Sequence, residues 1–499
     1  MTPGSPMADG QSLVSAGGIF ELGFFAPGDA KKRFLGIWFR NVSDKTVVWV
    51  ANRDAPLGEE DAHGALNLTN DGNLVLLNGI GFVLWSTHTS NAVSPVLQLL
   101  DSGNLVLTGG ASSNLLWQSF DHPTNTILAG MNIGLDFSRN IDKYLTSWKS
   151  DSDPSPGEYS YKMETRGVAQ LVLWKGNTEM YRSGPWTGEG FSGRPNMSPN
   201  GLFDFQYTDN QSGLYYTFQV LNATVLARAT LDQNGNFQRF VWTEGSSEWK
   251  LFWEVPEGQC DQYAACGGNG ICTMLYSSSC ICLEGFVPKS PAEWSLRQYS
   301  DGCVRGTPFN CSTDGFRQVQ NVKLPDTVNA GATNRTPDEC RDWCRNNCSC
   351  TAYAVFEQSR CLTWFGDLVD VRMFADGGDE LLVRLAASEL EDHEDCVHYL
   401  TIWHSSVTLS VSSFVVEVQK KNTRVCVSSR QSFGVMVLEI LSGKRSRTVT
   451  PSEPCKNLLQ HVRDEPPQFI TTRESRVTSD IKQFAGMEAM EGRQMLGAG

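Results

Sequence analysis

Cysteine is the residue type in this 499-residue chain whose spacing points most directly to chemistry. Twelve of the fifteen cysteines lie in one block, at positions Cys260, Cys266, Cys272, Cys280, Cys282, Cys303, Cys311, Cys340, Cys344, Cys348, Cys350 and Cys361. The block contains no Cys-x-x-Cys pair and no histidine, whereas a structural zinc site normally uses close cysteine pairs or cysteine–histidine mixtures. Disulfides staple small domains with thin hydrophobic cores in oxidising compartments. The block therefore predicts disulfides and no metal site.

Composition narrows the class of protein further. The net charge of −14 argues against nucleic acid as a partner, because binding to a phosphate backbone needs a basic surface. Only 19% of the residues are charged, while the chain contains 46 glycines, 14 tryptophans and 25 phenylalanines. This mixture is typical of β-rich extracellular domains with tight turns, and the length predicts three or four domains. No residue pattern indicates a cofactor.

Glycosylation sequons agree with a secretory environment. They begin at Asn41, Asn67, Asn196, Asn210, Asn222, Asn310, Asn334 and Asn347. Each of them fits the acceptor pattern Asn-x-Ser/Thr, although single sequons also arise by chance. Because all eight lie in the first 350 residues, the sequence predicts that this part of the chain is an ectodomain.

The elements around these residues read as short strands separated by turns. Residues 70–76 (NDGNLVL) and residues 101–107 (DSGNLVL) repeat, and each repeat is followed by a tryptophan, Trp85 and Trp117. A turn, an apolar alternation and a recurring tryptophan predict a symmetric β-prism or barrel with the tryptophans on its axis.

The N-terminal half resembles a known family. Residues 17–28 (GGIFELGFFAPG), residues 46–54 (TVVWVANRD) and residues 117–124 (WQSFDHPT) are similar to the plant bulb-type, mannose-binding lectin domain of S-locus glycoproteins and S-domain receptor-like kinases. Residues 181–186 (YRSGPW) and 231–242 (LDQNGNFQRFVW) resemble the S-locus glycoprotein region that follows. The resemblance implies a mainly β, multidomain chain with a β-prism lectin domain over residues 1–120 and a second lectin-like domain over residues 121–255.

The cysteine block resembles the next two domains of the same family, an EGF-like module over residues 256–303 and an α+β PAN/apple domain over residues 311–387. Thr336 and Glu339 form a capping-box pattern, and the helix that it starts places Cys340 and Cys344 on one face. Six cysteines allow fifteen connectivities, and the residues alone do not choose among them. The resemblance implies pairing of Cys260 with Cys272, Cys266 with Cys280, Cys282 with Cys303, Cys311 with Cys348, Cys340 with Cys361, and Cys344 with Cys350.

A sugar site is expected only weakly from this resemblance. Bulb lectins grip mannose with a strand motif Gln-x-Asp-x-Asn-x-Val-x-Tyr, and the first repeat keeps Asp71 and Asn73 but has Thr69 and Leu77 at the outer positions. Asp71 and Asn73 are therefore the candidate carbohydrate-binding residues. A purely structural role of these two residues in a tight turn is the preferred interpretation.

The C-terminal part, residues 388–499, is expected to be a largely irregular, degenerate tail. Residues 429–447 contain a segment similar to one helix of a kinase C-lobe, but the Gly-rich loop, the catalytic residues and the Asp-Phe-Gly motif of phosphoryl transfer do not occur. The sequence therefore predicts no catalytic residues and no enzyme. Residues 399–418 are a poor membrane-span candidate, since they include five serines, and the N-terminus does not read as a signal peptide.

Together these patterns predict an extracellular recognition module at the plasma membrane or outside the cell. Its expected partner is an extracellular peptide, a glycan, or a second copy of the same or a related receptor. Two alternatives stay open: a mannose-binding lectin, and a decayed gene product of a receptor kinase without independent function.

Overall fold

The computed structural model describes residues 1–28, 32–58, 64–110, 114–197, 201–275, 278–357, 359–390, 409–411 and 414–416. Residues 1–390 form one compact unit, and residues 391–499 form a second unit. The expected mainly β character is confirmed, because strands connected by turns dominate the first unit.

The first domain is an antiparallel β-prism. Its strands are β1 (Met7–Ala8), β2 (Ser12–Val14), β3 (Phe20–Phe25), β4 (Phe34–Phe39), β5 (Val47–Val50), β6 (Ala65–Leu68), β7 (Leu74–Leu77), β8 (Val83–Ser86), β9 (Val96–Leu99), β10 (Leu105–Gly109) and β11 (Asn114–Gln118). They form sheets with the orders β1-β6-β7-β8, β2-β3-β4-β5 and β11-β10-β9. Alternate residues of β6 and β9 are buried, which matches the period of two expected for strands with one face on a core.

Tryptophans fill the axis of this prism, as the repeats predict. Trp49, Trp85 and Trp117 pack edge-to-face, with ring centroids 6.0, 6.0 and 5.7 Å apart. This arrangement suits the quadrupoles of aromatic rings and buries a large apolar area. The Trp49 indole N–H also donates a hydrogen bond to the carbonyl of His122 at 2.8 Å, which ties the axis to the start of the next domain.

The same side-chain hydrogen bond recurs in all three sheets. The amide of Leu74 donates to Thr87 Oγ1 at 3.0 Å and that of Leu105 donates to Ser119 Oγ at 2.9 Å. In the sheet of Trp49, the amide of Leu35 donates to Asn52 Oδ1 at 2.8 Å. All three sheets of the prism therefore share this hydrogen bond, although the sheet of Trp49 lacks the sequence repeat of the other two.

A second prism follows. Its strands are β12 (Thr126–Leu128), β13 (Ile133–Asp136), β14 (Ile141–Lys143), β15 (Leu145–Ser150), β16 (Asp153–Glu164), β17 (Gln170–Lys175), β18 (Thr178–Pro185), β19 (Phe203–Asn210), β20 (Gly213–Val220), β21 (Val225–Leu231), β22 (Phe237–Thr243) and β23 (Lys250–Val255). They pair antiparallel in the orders β12-β21-β22-β23, β14-β13-β20-β19 and β15-β16-β17-β18. The inner faces of both prisms belong to one continuous hydrophobic core.

The cysteine-rich part shares one large sheet. Its elements are β24 (Gly270–Thr273), β25 (Cys280–Cys282), β26 (Phe286–Pro288), α1 (Pro291–Ser295), β27 (Cys303–Arg305), β28 (Gly315–Lys323), β29 (Ala330–Asn334), α2 (Pro337–Asn346), β30 (Cys350–Phe356), β31 (Arg360–Phe365), β32 (Val371–Met373), β33 (Asp379–Leu385) and α3 (Ala387–Leu390). The sheet order is β25-β24-β32-β28-β33-β30-β31-β29, in which β24 runs parallel to β32. The EGF-like hairpin β24–β25 therefore extends the sheet of the PAN-like part.

Helix α2 begins where its sequence predicts. Thr336 is the N-cap, and its reciprocal hydrogen bonds with Glu339 confirm the capping box. At the other end, the buried guanidinium of Arg384 donates to the carbonyls of Asn347 at 2.9 Å and of Arg345 at 2.6 Å. The carbonyls that a helix leaves unpaired at its C-terminus are thus satisfied by a cation, which also complements the helix dipole.

A buried ion cluster joins the second prism to the cysteine-rich part. Arg182 of β18 lies 2.7 Å from the carboxylate of Asp370, and Lys323 of β28 lies 2.6 Å from the same oxygen. The side chains of Arg182, Lys323 and Asp370 are 0, 1 and 4% exposed. Because buried charges are retained only when they are paired, this cluster holds the two parts at a fixed contact.

In the second unit the structure describes only an antiparallel pair, β34 (Leu409–Val411) and β35 (Phe414–Val416). The predicted kinase-like segment at 429–447 lies outside the described residues, and so does most of the span candidate at 399–418. Among the residues that the structure does describe, every helix is too short or too polar to cross a bilayer.

Candidate functional site

Disulfides fix the cysteine-rich framework. Within the described residues the bridges are Cys260–Cys272, Cys266–Cys280, Cys282–Cys303, Cys311–Cys348, Cys340–Cys361 and Cys344–Cys350, and their Cα–Cα distances lie between 5.3 and 5.7 Å. These are the pairs that the family resemblance implies. The sulfurs of Cys266, Cys272 and Cys280 lie within 4.8 Å of one another, but each belongs to a disulfide, so that none is the thiolate a metal would need.

The first-repeat candidates sit at the turn between β6 and β7. Asp71 is exposed, and a hydrogen bond from the Thr69 hydroxyl lowers the pKa of its carboxyl group. Asn73 is half-buried, and its side-chain oxygen accepts hydrogen bonds from Ser86 Oγ at 2.9 Å and Thr87 Oγ1 at 3.2 Å. The geometry thus gives Asn73 a role in joining β7 to β8, and a sugar-binding role for the pair stays a prediction.

The second repeat leads into a polar network that the sequence analysis did not identify. Asn104 is buried, and its amide donates to Gln118 Oε1 at 2.9 Å. The Gln118 amide in turn donates to Asp121 Oδ1 at 3.1 Å. The carboxylate of Asp121 then pairs with Lys143 at 2.7 Å and Arg139 at 2.6 Å. A chain of polar contacts therefore runs from the first prism into the second.

Electrostatics explains why Asp121 stays charged although it is only 2% exposed. Burial acts to raise the pKa of its carboxyl group, but the hydrogen bond and charge of Lys143, with hydrogen bonds from Arg139 and Gln118, outweigh burial and lower it. A desolvated carboxylate held by two cations is a rigid acceptor with a defined direction.

A second electrostatic feature lies beside the buried ion cluster. Burial, reinforced by the charge of Asp326, raises the pKa of Glu179 to about 7. Asp326 itself accepts hydrogen bonds from Tyr263 at 2.7 Å and from Gln170 at 3.1 Å, so it is held in place by both neighbouring parts of the unit. Glu179 therefore changes charge near neutral pH at the contact between the second prism and the cysteine-rich part.

The predicted glycosylation sites lie mostly at exposed turns. Exposed side chains belong to Asn41, Asn210, Asn222, Asn310 and Asn334, and half-buried ones to Asn67 and Asn347. The side chain of Asn196 is outside the described part of the structure. Glycosylation at these positions stays a prediction.

Several of these asparagines share a local geometry. The side-chain oxygen of Asn210 accepts a hydrogen bond from Ser212 Oγ at 2.7 Å, and that of Asn222 accepts one from Thr224 Oγ1 at 2.9 Å. Asn310 accepts one from Ser312 Oγ at 2.8 Å. In each of these turns the hydroxyl of the sequon donates to the side-chain oxygen of its asparagine.

Family models match three parts of the chain. Residues 46–149 match the model described as D-mannose binding lectin, residues 181–290 match the S-locus glycoprotein domain, and residues 310–371 match the PAN-like domain. The first match runs from β5 into β15, the second from within β18 to β26, and the third from before β28 to the start of β32.

The relatives that match most of the chain are of two kinds. The receptor-like serine/threonine-protein kinase SD1-8 of Arabidopsis thaliana is 42% identical over 398 residues, which are 77% of this chain and 46% of the kinase. The S-locus-specific glycoprotein BS29-2 of Brassica oleracea var. alboglabra is 40% identical over 396 residues, which are 77% of this chain and 90% of that glycoprotein. The chain thus spans less than half of the first relative and nearly all of the second.

Among solved structures, the mannose-specific agglutinin of snowdrop (Galanthus nivalis) is 21% identical, and the match covers 22% of this chain and 88% of the agglutinin with a TM-score of 0.18. A two-domain lectin from Scilla campanulata is 17% identical and covers 52% of this chain and 86% of its own, with a TM-score of 0.17. Neither score is high enough to carry an argument about the site.

Proposed function

Because the chain belongs to the family of S-locus glycoproteins and G-type lectin receptor-like kinases, we propose that residues 1–390 bind an extracellular ligand and act by recognition rather than by catalysis. The observation that carries this proposal is the 90% coverage of an S-locus-specific glycoprotein, against 46% coverage of a receptor kinase. Both relatives match 77% of this chain, and we propose that the matched region is a ligand-binding ectodomain. The disulfide framework supports a position at the cell surface or outside the cell.

The surface of the first prism supports a protein or peptide partner. Ile80 and Phe82, at the turn between β7 and β8, are 88 and 65% exposed, and Val83 at the start of β8 is 46% exposed. Large apolar side chains that stay in water are characteristic of contact surfaces. We propose that an extracellular peptide, or a second receptor of the same family, contacts this end of the prism.

The geometry favours this function over that of a mannose lectin. The oxygen of Asn73 is engaged by β8, and Thr69 and Leu77 replace the outer motif residues. In the second repeat, the side-chain oxygen of Asn104 accepts a hydrogen bond from Ser119 Oγ at 3.2 Å, and its amide donates to Gln118 Oε1 at 2.9 Å.

The proposal is tested with the full chain, secreted from plant cells behind an added leader. The folded protein is immobilised and titrated with small secreted cysteine-rich peptides and with the soluble ectodomains of related receptors. Saturable binding that reduction of the disulfides abolishes is the expected result. ATP-dependent phosphate transfer by the purified chain, or no saturable binding of either ligand class by a correctly disulfide-bonded protein, would contradict the proposal.

A further inference from the structure

One disulfide of the cysteine-rich part is accessible to solvent. Among the bridged cysteines of the described residues, only Cys348 is exposed, and its partner Cys311 is half-buried. Four cysteines form the other two bridges at α2 and are 0% exposed: Cys340 with Cys361, and Cys344 with Cys350. A reagent in solution therefore reaches Cys348 without unfolding of the chain, whereas the two buried bridges must first be uncovered by local opening.

A buried guanidinium lies against the half-buried sulfur of this bridge. Nη2 of Arg384 is 3.8 Å from Sγ of Cys311, and the side chain of Arg384 is 1% exposed. The guanidinium is held in this position because it also donates to carbonyls at the end of α2, including that of Arg345 at 2.6 Å. A cation fixed beside a sulfur stabilises the thiolate form of that sulfur.

The charged groups around Arg384 are mainly positive. Arg305 and Arg384 both lie against the ring of Phe309, at 3.5 and 5.7 Å from its centroid. The carboxylate of Asp314 lies 3.6 Å from Nε of Arg384. Two guanidinium groups therefore accompany one carboxylate, so a thiolate formed at Cys311 adds a second anion to a group with a net positive charge.

These contacts give the two sulfurs different roles in thiol–disulfide exchange. An attacking thiolate bonds to one sulfur of a disulfide, and the other sulfur leaves faster when its anion is stabilised. Cys348 is the sulfur open to attack, and Cys311 is the sulfur whose anion Arg384 stabilises. Exposed disulfides are also the ones that commonly serve as labile, regulatory bridges.

We propose that Cys311–Cys348 is a redox-labile bridge and that Cys348 is a site of modification by a small extracellular thiol. The thiolate of the small molecule bonds to Sγ of Cys348, the bond between the two cysteines breaks, and its electron pair goes to Sγ of Cys311. The sulfur of the small thiol is oxidised and that of Cys311 is reduced, so the exchange needs no other oxidant. A second molecule of the thiol then releases Cys348 as a free thiol and forms the symmetric small-molecule disulfide.

Opening of this bridge has a local structural consequence. Cys311 lies in the connection 306–314 between β27 and β28, and the bridge ties that connection to the end of α2. Helix α2 keeps its covalent links to β31 through Cys361 and to β30 through Cys350. The exchange therefore frees the connection while the helix and the sheet stay in place. This response is independent of the ligand that the ectodomain binds.

The test uses the full chain, secreted and oxidised, and exposes it to reduced glutathione under native conditions. Samples are quenched by alkylation, and peptide mass spectrometry locates the glutathione adduct and the alkylated cysteines. We expect the adduct on Cys348 and the alkyl group on Cys311. This bridge should open about tenfold faster or more than Cys340–Cys361, which first needs local unfolding.

Two double variants separate opening of the bridge from unfolding. In Cys311→Ala/Cys348→Ala, hydrogen exchange should become faster in residues 306–314 while residues 337–346 stay protected. Cys340→Ala/Cys361→Ala is the matched control, in which loss of a buried bridge should expose helix α2 itself to exchange.

Four results would overturn the proposal. The adduct forms on Cys311 instead of Cys348, or the buried bridges of α2 open as fast as Cys311–Cys348. All bridges of the folded chain resist glutathione, or the first double variant loses protection in residues 337–346 as well as in residues 306–314.

Discussion

The first prism and the cysteine-rich part reach a stable fold by different means. Residues 1–259 contain no cysteine, and the first prism is centred on Trp49, Trp85 and Trp117. In the PAN-like part the cluster around α2 consists of Cys340, Cys344, Cys350 and Cys361 with Tyr353. The PAN-like part is therefore stabilised by disulfides, whereas the first prism is stabilised by buried aromatic rings.

The comparison shows how the size of an element and the shape of its sheet decide whether packing alone can stabilise it or disulfides are needed. A prism closes three sheets around one axis, so each tryptophan is surrounded on several sides by apolar side chains. The EGF-like hairpin lies at one end of an open sheet, and helix α2 packs against β30 and β31. Small elements of this kind bury little apolar surface, and disulfides commonly hold them. We expect the two regions to respond differently to reduction, to loss of charge and to pH.

Removing the disulfides is expected to have the largest effect. Each bridge contributes about 2–5 kcal/mol to a small secreted domain, so reduction of all of them should unfold the cysteine-rich part while the first prism stays folded. Hydrogen exchange followed by mass spectrometry measures this directly, peptide by peptide. Equal loss of protection in peptides from residues 1–120 and 260–385 would show that the two regions do not differ in this way.

The buried ion cluster gives the next largest effect. Asp370→Ala leaves the guanidinium of Arg182 and the ammonium of Lys323 buried without their shared partner, which should lower the free energy of unfolding by about 3–5 kcal/mol. Urea denaturation measures the change. Asp338→Ala removes the partner of Arg341 in an exposed pair and should cause no measurable change. Equal effects of both variants would contradict the assignment.

A single hydrogen bond on the prism axis should have a smaller effect. Trp49→Phe keeps an aromatic ring but removes the indole N–H that the carbonyl of His122 accepts, and we expect a loss of about 1–3 kcal/mol. Trp174→Phe is the matched control, because the indole N–H of Trp174 has no partner among the described residues. Thermal unfolding compares them, and an equal or larger loss in the control would refute this role of Trp49.

The smallest effect concerns pH. The pKa of Glu179 is raised by burial and by nearby acidic groups from 4.5 to about 7, so the folded chain binds this proton more tightly than the unfolded chain. Its stabilising contribution is therefore complete below about pH 4.5 and is lost as the pH rises to about 7.

In Glu179→Gln this decline should disappear, and the variant should exceed the wild type at pH 8 by about 1 kcal/mol after allowance for the exposed part of the side chain. Glu158→Gln, at an exposed position, is the control. Stability curves between pH 4 and pH 8 that run parallel for wild type and Glu179→Gln would rule out this origin of the pH dependence.

Local patterns predicted much of this molecule. The spacing of Trp85 and Trp117 predicted the prism axis because both follow the same turn-and-strand pattern, and Thr336 with Glu339 predicted the start of α2 because a capping box involves only neighbouring residues. Trp49 belongs to the third sheet, where the sequence repeat is absent. In that sheet Asn52 accepts the backbone hydrogen bond that Thr87 and Ser119 accept in the other two sheets.

Contacts between distant segments could not be predicted in this way. Arg182 and Asp370 are separated by 188 residues, and no local pattern links them. The same holds for the polar network, since Asn104 belongs to the first prism and Lys143 to the second, and no local pattern links them. For Asp71 and Asn73 the sequence could not separate a ligand role from a turn role, because both use the same polar atoms.

The Cys311–Cys348 bridge joins the middle residues of two sequons, Asn310-Cys311-Ser312 and Asn347-Cys348-Ser349. Once the bridge has formed, the Asn347 carbonyl is held by Arg384 at 2.9 Å, and the segment around Asn310 is closed into a turn by Asp314. An enzyme that attaches sugar needs its asparagine on a chain segment that can still move. We therefore expect that any glycan on these two asparagines is attached before their cysteines pair, so that the order of two reactions during synthesis decides whether the two sequons are used.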